Sequence, residues 1–175
     1  MGGVIFHPAT PWEVEHAGIA LKGIGARALL DLPLTAFFAS RQCPGSAIRA
    51  AMDWALEAAK ARRVVISGFH SPLERSVFEV LLTANALAVM ALTRDPGHSA
   101  LPKLWDEAAQ RGTLLILGPA GAKGRLTDEL ARERNNWVAS MATHIVVAHA
   151  APVGGLAAQV AGWREDKRSV EVLSP

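Results

Sequence analysis

The sequence predicts an α/β fold: a doubly wound, mostly parallel sheet of about six strands, preceded by a short helical N-terminal appendage. Short, continuously apolar runs recur from residue 34 onward, as expected of strands that are covered on both faces. Segments with the spacing of amphipathic helices lie between these runs, so strands and helices alternate along the chain. The chain has 175 residues and is 50% hydrophobic, so it can bury one substantial core.

Residues 1–33 do not share this alternation, and we expect them to form the helical appendage. Residues 10–13, Thr-Pro-Trp-Glu, have the order of a helix start: a capping threonine, a proline at the first helical position and a glutamate three residues past the cap. Residues 23–28 match the G-x-G-x-x-A dinucleotide fingerprint, but no strand is predicted before them, so we interpret them as a turn between helices. The main domain is expected to span residues 34–175.

Six apolar runs are predicted to be strands. They are residues 34–39, 64–67, 86–92, 113–117, 144–148 and 169–173. Five helices are predicted between them. They are residues 46–62, a helix that begins at the capping Ser71, and residues 101–111, 127–142 and 156–165. The first helix is expected to bury the face that carries Ile48, Ala51, Met52, Ala55, Leu56 and Ala59.

Composition excludes several classes of protein. The formal charge of +2 is too small to indicate nucleic-acid binding by bulk charge alone, so any such binding would need a local basic patch. The single cysteine, Cys43, leaves no disulfide framework and no cysteine-based zinc site, and we expect neither a metal nor a cofactor. No long apolar segment indicates a membrane span, and a cytoplasmic location is expected.

Three polar loops follow predicted strands and are the candidate binding segments. They are residues 40–45, 68–71 and 149–155. Parallel strands end at the same edge of a sheet, and ligands bind there in open α/β folds. If the first, second and fifth predicted strands are neighbours, these loops line one crevice. The predicted helix starts at this edge would favour an anionic ligand.

The first and third loops offer groups suited to phosphate. Ser40 and Arg41 supply a hydroxyl and a guanidinium, and Gly45 permits a close approach of the backbone. The alternative for Arg41 is a solvated side chain on a surface turn. Gly154 and Gly155 place a second flexible backbone segment just before a helix.

The second loop combines Ser67, Gly68, His70 and Ser71. These residues are candidates for ligand binding, although His70 fits equally well as an ordinary loop histidine. Glu74 is the only candidate for a catalytic group, and its spacing from Ser71 is already explained by a capping box.

Arg134 lies on the apolar face of a predicted helix, among Leu130, Trp137, Val138 and Met141. A guanidinium is rarely buried without a partner. Arg134 therefore either extends to the edge of the sheet or binds an anion there. The adjacent Asn135 favours an anionic ligand, and Glu74 is an alternative partner.

Four segments carry a resemblance to a known family. Residues 38–41, 66–69, 134–136, and 145–150 followed by 154–156 resemble, in order and spacing, the Rossmann-like core of bacterial DNA-processing proteins of the DprA/Smf type. The resemblance implies a phosphate pocket for single-stranded DNA and a homodimer. It also implies that the phosphate site is formed by Ser40, Arg41, Ser67, Gly68, Arg134 and Asn135.

The chain departs from that family at three positions. Glu74 stands where the family has aspartate, Phe78 where it has histidine, and Asn136 where it has a second arginine. The related phosphoribohydrolases carry P-G-G-x-G-T-x-x-E, and Val160 occupies the position of their glutamate. The sequence thus predicts a non-catalytic protein that binds a nucleotide or a nucleic-acid phosphate. The alternatives are a hydrolase of nucleoside monophosphates and a purely structural or interaction module.

Overall fold

The computed structural model describes residues 11–97 and 100–173, which form one mixed sheet with helices on both faces. The strands are β1 (Trp12–His16), β2 (Ile19–Gly25), β3 (Leu34–Phe38), β4 (Val64–Ser67), β5 (Ala88–Ala91), β6 (Leu114–Pro119), β7 (His144–Val147) and β8 (Val170–Val172). The helices are α1 (Gly45–Lys60), α2 (Pro72–Thr83), α3 (Lys103–Arg111), α4 (Asp128–Met141) and α5 (Gly155–Glu165). The spatial order of the strands is β1-β2-β6-β5-β4-β3-β7-β8.

The strands from β3 to β8 are parallel, as the alternation of strands and helices predicts. The central strand β3 shows why its apolar run is continuous. Phe37 faces one layer and stacks on Trp54 of α1, with ring centroids 5.1 Å apart. Phe38 faces the other layer and contacts Trp163 of α5 at 4.8 Å. Successive side chains of a strand point to opposite faces, so both faces of β3 are buried.

The N-terminal helical appendage is a wrong prediction within the described residues. Residues 12–25 form an antiparallel hairpin, and β2 pairs with β6. The hairpin therefore extends the main sheet to eight strands, and the predicted number of about six strands is wrong. Ala17 and Gly18 both have positive φ at its tip, as tight hairpin turns require. The helix start predicted at residues 10–13 falls partly outside the described residues, because residues 1–10 are not described.

The structure explains this error. In β1, the half-buried Trp12, Val14 and His16 alternate with exposed glutamates, which is the period of a strand. The prediction of a turn between helices at residues 23–28 is also wrong, because residues 23–25 lie in β2. At Gly23 an added Cβ would lie 2.5 Å from the Trp12 ring, so this glycine makes room for the indole.

The predicted helices are present within one or two residues of their bounds, but the buried face of α1 differs. Its buried residues are Ala47, Ala51, Trp54, Ala55 and Ala58. Ile48 and Leu56, which we expected in the core, are 44% and 49% exposed. The helix is rotated so that the large Trp54 side chain packs on the sheet, and small alanines allow that close approach.

The strand order brings the candidate loops together. β3 lies between β4 and β7, so the loops that follow these three strands share the carboxyl edge of the sheet. The three loops were expected to line one crevice if these strands were neighbours, and the structure shows that they are. In the part of the chain that the structure describes, no helix has the length and apolar character needed to cross a membrane.

Candidate functional site

A cleft of about 810 Å³ opens at the carboxyl ends of β3, β4 and β7. Its wall contains the segments that precede α2, α4 and α5, so the N-termini of three helices converge on it. N-terminal N–H groups and the helix dipole favour negative charge. The three helix starts therefore favour negative charge in the cleft.

Ser40 ties the first loop to the third. Its hydroxyl oxygen accepts a hydrogen bond from the backbone N–H of Ala151 at 2.8 Å, and its own N–H donates to the carbonyl of His149 at 3.0 Å. The hydroxyl hydrogen is not used by these two bonds. Ser40 therefore fixes the shape of the cleft and can still donate to a ligand.

Glu74 is buried at the base of the cleft and is held by backbone donors. One carboxylate oxygen accepts from Ala39 N–H at 3.0 Å, and the other accepts from His70 and Ser71 N–H at 3.1 and 3.3 Å. The Ser71 hydroxyl in turn accepts from the N–H of Glu74, which completes the predicted capping box. Glu74 thus joins α2 to the end of β3.

The second loop makes a tight turn over this carboxylate. Phe69 has a φ of 47°, a left-handed conformation that is uncommon for a bulky residue, and its ring packs on Phe78 at 4.8 Å. Its N–H donates to the hydroxyl of the buried Ser67 at 3.1 Å. The turn directs the next backbone N–H groups toward Glu74, and it leaves the His70 side chain at the mouth of the cleft.

Arg134 extends from α4 into the cleft and is only 6% exposed. Its guanidinium lies directly over Gly68, where an added Cβ would be 2.6 Å from Nε and 2.7 Å from Nη1. The absence of a side chain at Gly68 therefore makes the seat for this group. The position agrees with the inward direction expected from the apolar face of α4.

The guanidinium of Arg134 is poorly satisfied. It donates one long hydrogen bond, from Nη2 to the Asn135 side-chain oxygen at 3.3 Å. Its buried Nε has no hydrogen-bond partner among the described residues, and no carboxylate of those residues forms an ion pair with it. Burial lowers the pKa of Arg134 and the nearby charge of Glu74 opposes that shift. A buried cation without a partner is costly, and an anion in the cleft would satisfy it.

The start of α5 supplies backbone donors to the same space. Gly154 is the N-cap residue and α5 begins at Gly155, and both line the cleft. No side chain within the described ranges caps this helix. The first N–H groups of α5 are therefore available to a ligand.

Arg41 is at the rim rather than in the interior. Its side chain is exposed, and its Nη2 lies 3.8 Å from the carboxylate of Asp128, at the start of α4. An exposed pair at this distance contributes little to stability. Arg41 can therefore turn from Asp128 to a ligand at small cost.

His70 stands at the mouth of the cleft beside several charges. Its pKa is lowered, first by partial burial and then by the positive charges of Arg134, Arg75 and Arg41, while Glu74 acts in the opposite direction.

The structure places the predicted binding residues at the cleft with three exceptions. Gly45 begins α1 outside the cleft lining, Ser67 is fully buried beneath it, and Gly68 supports Arg134 from below. The remaining predicted residues line it: Ser40, Arg41, His70, Ser71, Arg134, Asn135, Gly154 and Gly155. Ser67 and Gly68 thus act on the site through their neighbours.

Sequence reasoning missed Gln159, which lines the cleft from α5. Its side-chain nitrogen donates to the carbonyl of Arg132 at 2.9 Å and to the Asn136 side chain at 3.0 Å. Its oxygen accepts from the Asn135 side chain at 3.3 Å. This network fixes α4 against α5 and holds Asn135 beside Arg134. No signal in the sequence distinguishes Gln159 from an ordinary helical glutamine.

Across residues 11–97 and 100–173, no group of three or more His, Cys, Asp or Glu side chains is arranged to hold a metal ion. The cleft itself presents arginines, amides, hydroxyls and backbone N–H groups, together with the engaged carboxylate of Glu74 and the exposed carboxylate of Asp128 at its rim. That set of donors suits phosphate or another oxyanion.

Known proteins share this fold. DNA-processing protein A (DprA) from Helicobacter pylori superposes with a TM-score of 0.75 at 19% identity, over 95% of this chain and 81% of that one. DprA from Streptococcus pneumoniae gives a TM-score of 0.70 at 19% identity, over 96% of this chain and 60% of that one. The Helicobacter structure concerns the binding of single-stranded DNA by that protein.

A molybdenum-cofactor binding protein from Rippkaea orientalis is also similar, with a TM-score of 0.56 at 15% identity over 80% of this chain and 75% of that one. No protein-family model matches the sequence, and no curated protein matches it. The fold of this chain is therefore the Rossmann-like fold of DprA, as its sequence resemblance implied.

Proposed function

We propose that this protein binds the phosphate of a nucleotide or of single-stranded DNA in the cleft, without a catalytic role. The observation that carries the proposal is Arg134. This arginine is buried, lines the cleft and has an unpartnered Nε among the described residues. Such a group adds nothing to the stability of the fold, and an anionic ligand in the cleft would satisfy it.

The surroundings of Arg134 favour the same ligand class. Arg41 can reach the anion from the rim, Ser40 can donate its hydroxyl hydrogen, and the uncapped start of α5 adds backbone N–H groups. The planar guanidinium of an arginine can donate two parallel hydrogen bonds to two oxygen atoms of a phosphate, as it does to a carboxylate. Helix N-termini are common phosphate sites.

The fold supports single-stranded DNA as one source of the phosphate. The described chain shares its fold with DprA, and the Helicobacter protein of that name binds single-stranded DNA. Because identity is 19%, this likeness supports the proposal only together with the charge and geometry of the cleft.

Two features support a binding role over catalysis. Both oxygens of Glu74 already accept backbone hydrogen bonds, so this carboxylate is occupied as a structural link. Val160 is buried in the core, where it can neither donate nor accept a proton. A nucleoside-monophosphate hydrolase would need an acid or base in one of these two positions.

Fluorescence anisotropy with a labelled single-stranded oligonucleotide tests the proposal. We expect saturable binding that weakens with rising salt and is displaced by unlabelled oligonucleotide. Arg41→Ala should weaken binding several-fold, whereas Arg111→Ala, a change in an exposed arginine at the end of α3, should not. Failure of the oligonucleotide and of nucleoside monophosphates to bind at low salt would contradict the proposal.

A further inference from the structure

We propose that the part of the cleft bounded by Leu126, Ala131 and Leu156 holds the base of one bound nucleotide. This inference rests on the proposed function, because the base is placed by a phosphate at Arg134. The binding unit would be a single nucleotide, whether free or within a strand.

The first observation is that part of the cleft wall is apolar. Leu126, in the segment before α4, is 37% exposed and lines the cleft. Leu156, in the first turn of α5, and Ala131, in the first turns of α4, line the same cleft. An apolar surface inside a polar cleft favours a flat apolar group, and a nucleobase is such a group.

The second observation is the size of the cleft. The cleft has a volume of about 810 Å³, which lies within the usual range for whole small-molecule ligands and is far larger than a phosphate needs. Ala131 precedes Arg134 by one turn of α4, which is about 4.5 Å along the helix axis. Leu126, Ala131 and Leu156 thus share one cleft with Arg134, and that cleft has room for the sugar and base of a nucleotide as well as its phosphate.

The third observation is the net charge of the side chains that line the cleft. The arginines that line the cleft are Arg41, Arg132 and Arg134, and the carboxylates are Glu74 and Asp128. These side chains sum to a charge of one positive unit, which matches one phosphodiester better than several. The cleft thus has the charge for one phosphate and the apolar surface for one base.

Isothermal titration calorimetry with matched ligands tests this subsite. Ribose 5-phosphate and the nucleotides AMP and UMP share the phosphate and sugar and differ in the base. We expect at least one nucleotide to bind about tenfold more tightly than ribose 5-phosphate, because the base buries apolar area against Leu126.

Leu126→Ala should lower the affinity for that nucleotide about fivefold and leave the affinity for ribose 5-phosphate unchanged. Leu104→Ala is the control, since Leu104 is 64% exposed on α3 and does not line the cleft. It should change neither affinity.

Three results would overturn the subsite. Equal affinities for ribose 5-phosphate and both nucleotides would show that the base makes no contact. An equal loss for all ligands in Leu126→Ala would assign Leu126 a structural role. If none of the ligands binds, and the oligonucleotide also fails, the proposed function itself is contradicted.

Discussion

The guanidinium of Arg134 lies against the backbone of Gly68, in the space that a side chain at residue 68 would occupy. The two residues come from different elements: Arg134 from the middle of α4, and Gly68 from the loop after β4. Gly68 therefore contributes to the cleft by seating Arg134. Arg134 can be buried in this position because residue 68 has no side chain.

This contact predicts the effect of Gly68→Ala. The new methyl group would overlap the guanidinium, which must then leave its seat, so oligonucleotide affinity should fall about tenfold or more. Gly162→Ala is a matched control in the middle of α5, where an added Cβ meets no atom within 4 Å. That control should keep full affinity and gain about 0.5–1 kcal/mol of stability. Wild-type affinity in Gly68→Ala would disprove the seating role.

Glu74→Gln separates a structural carboxylate from a catalytic one. A glutamine offers only one oxygen to the three backbone donors, so we expect the free energy of unfolding to fall by about 1–3 kcal/mol. Glu79→Gln, an exposed position on the same helix, should cost almost nothing. We also expect no release of free base from nucleoside monophosphates by the wild type. Release that Glu74→Gln abolishes would make the protein a hydrolase.

His70 should couple ligand binding to a proton. Its pKa lies below the ordinary 6.5 in the free protein because of partial burial and the charge of Arg134, and a bound anion would raise it. Affinity for an oligonucleotide should therefore increase as the pH falls from about 7.5 to about 5.5, a range in which phosphodiesters do not titrate. His70→Gln should flatten this dependence. An identical pH profile in the variant would remove His70 from the binding site.

Asp128 competes with the ligand for Arg41. Asp128→Asn removes a negative charge from the cleft and frees the guanidinium of Arg41, so oligonucleotide affinity should increase about two- to fivefold at low salt. Glu129→Gln is the control, because it removes the same charge from the same helical turn but does not line the cleft. Equal gains in both variants would indicate a general charge effect instead of competition at Arg41.

The sequence predicts most of the core of this fold because its signals are local. Continuous apolar runs such as residues 34–39 indicate strands covered on both faces, and polar loops after them indicate the functional edge of the sheet. The inward direction of Arg134 follows from the spacing of its helix. The N-terminal hairpin is not predicted because the helix-start pattern at residues 10–13 overlaps the strand-like alternation from Trp12 to His16.

Local sequence patterns do not predict the contacts between segments that are distant in the chain. The seat that Gly68 provides depends on where α4 packs, and nothing near residue 68 in the sequence records it. Gln159 was missed for the same reason, since its three hydrogen bonds all reach α4. The buried face of α1 was misjudged because the packing of Trp54 on Phe37 outweighs the spacing of the smaller apolar residues.

The central claim is that Arg134 is buried for a ligand and not for the stability of the fold. Arg134→Met keeps an unbranched, flexible side chain and removes the guanidinium with its charge. Chemical denaturation and oligonucleotide binding should be measured on the same samples. Arg111→Met, at an exposed position, is the control. We predict that the free energy of unfolding stays the same or rises by about 1–3 kcal/mol, because the unsatisfied guanidinium is gone. Affinity should fall by at least about tenfold. A loss of about 3 kcal/mol or more in stability, or undiminished binding, would contradict the account.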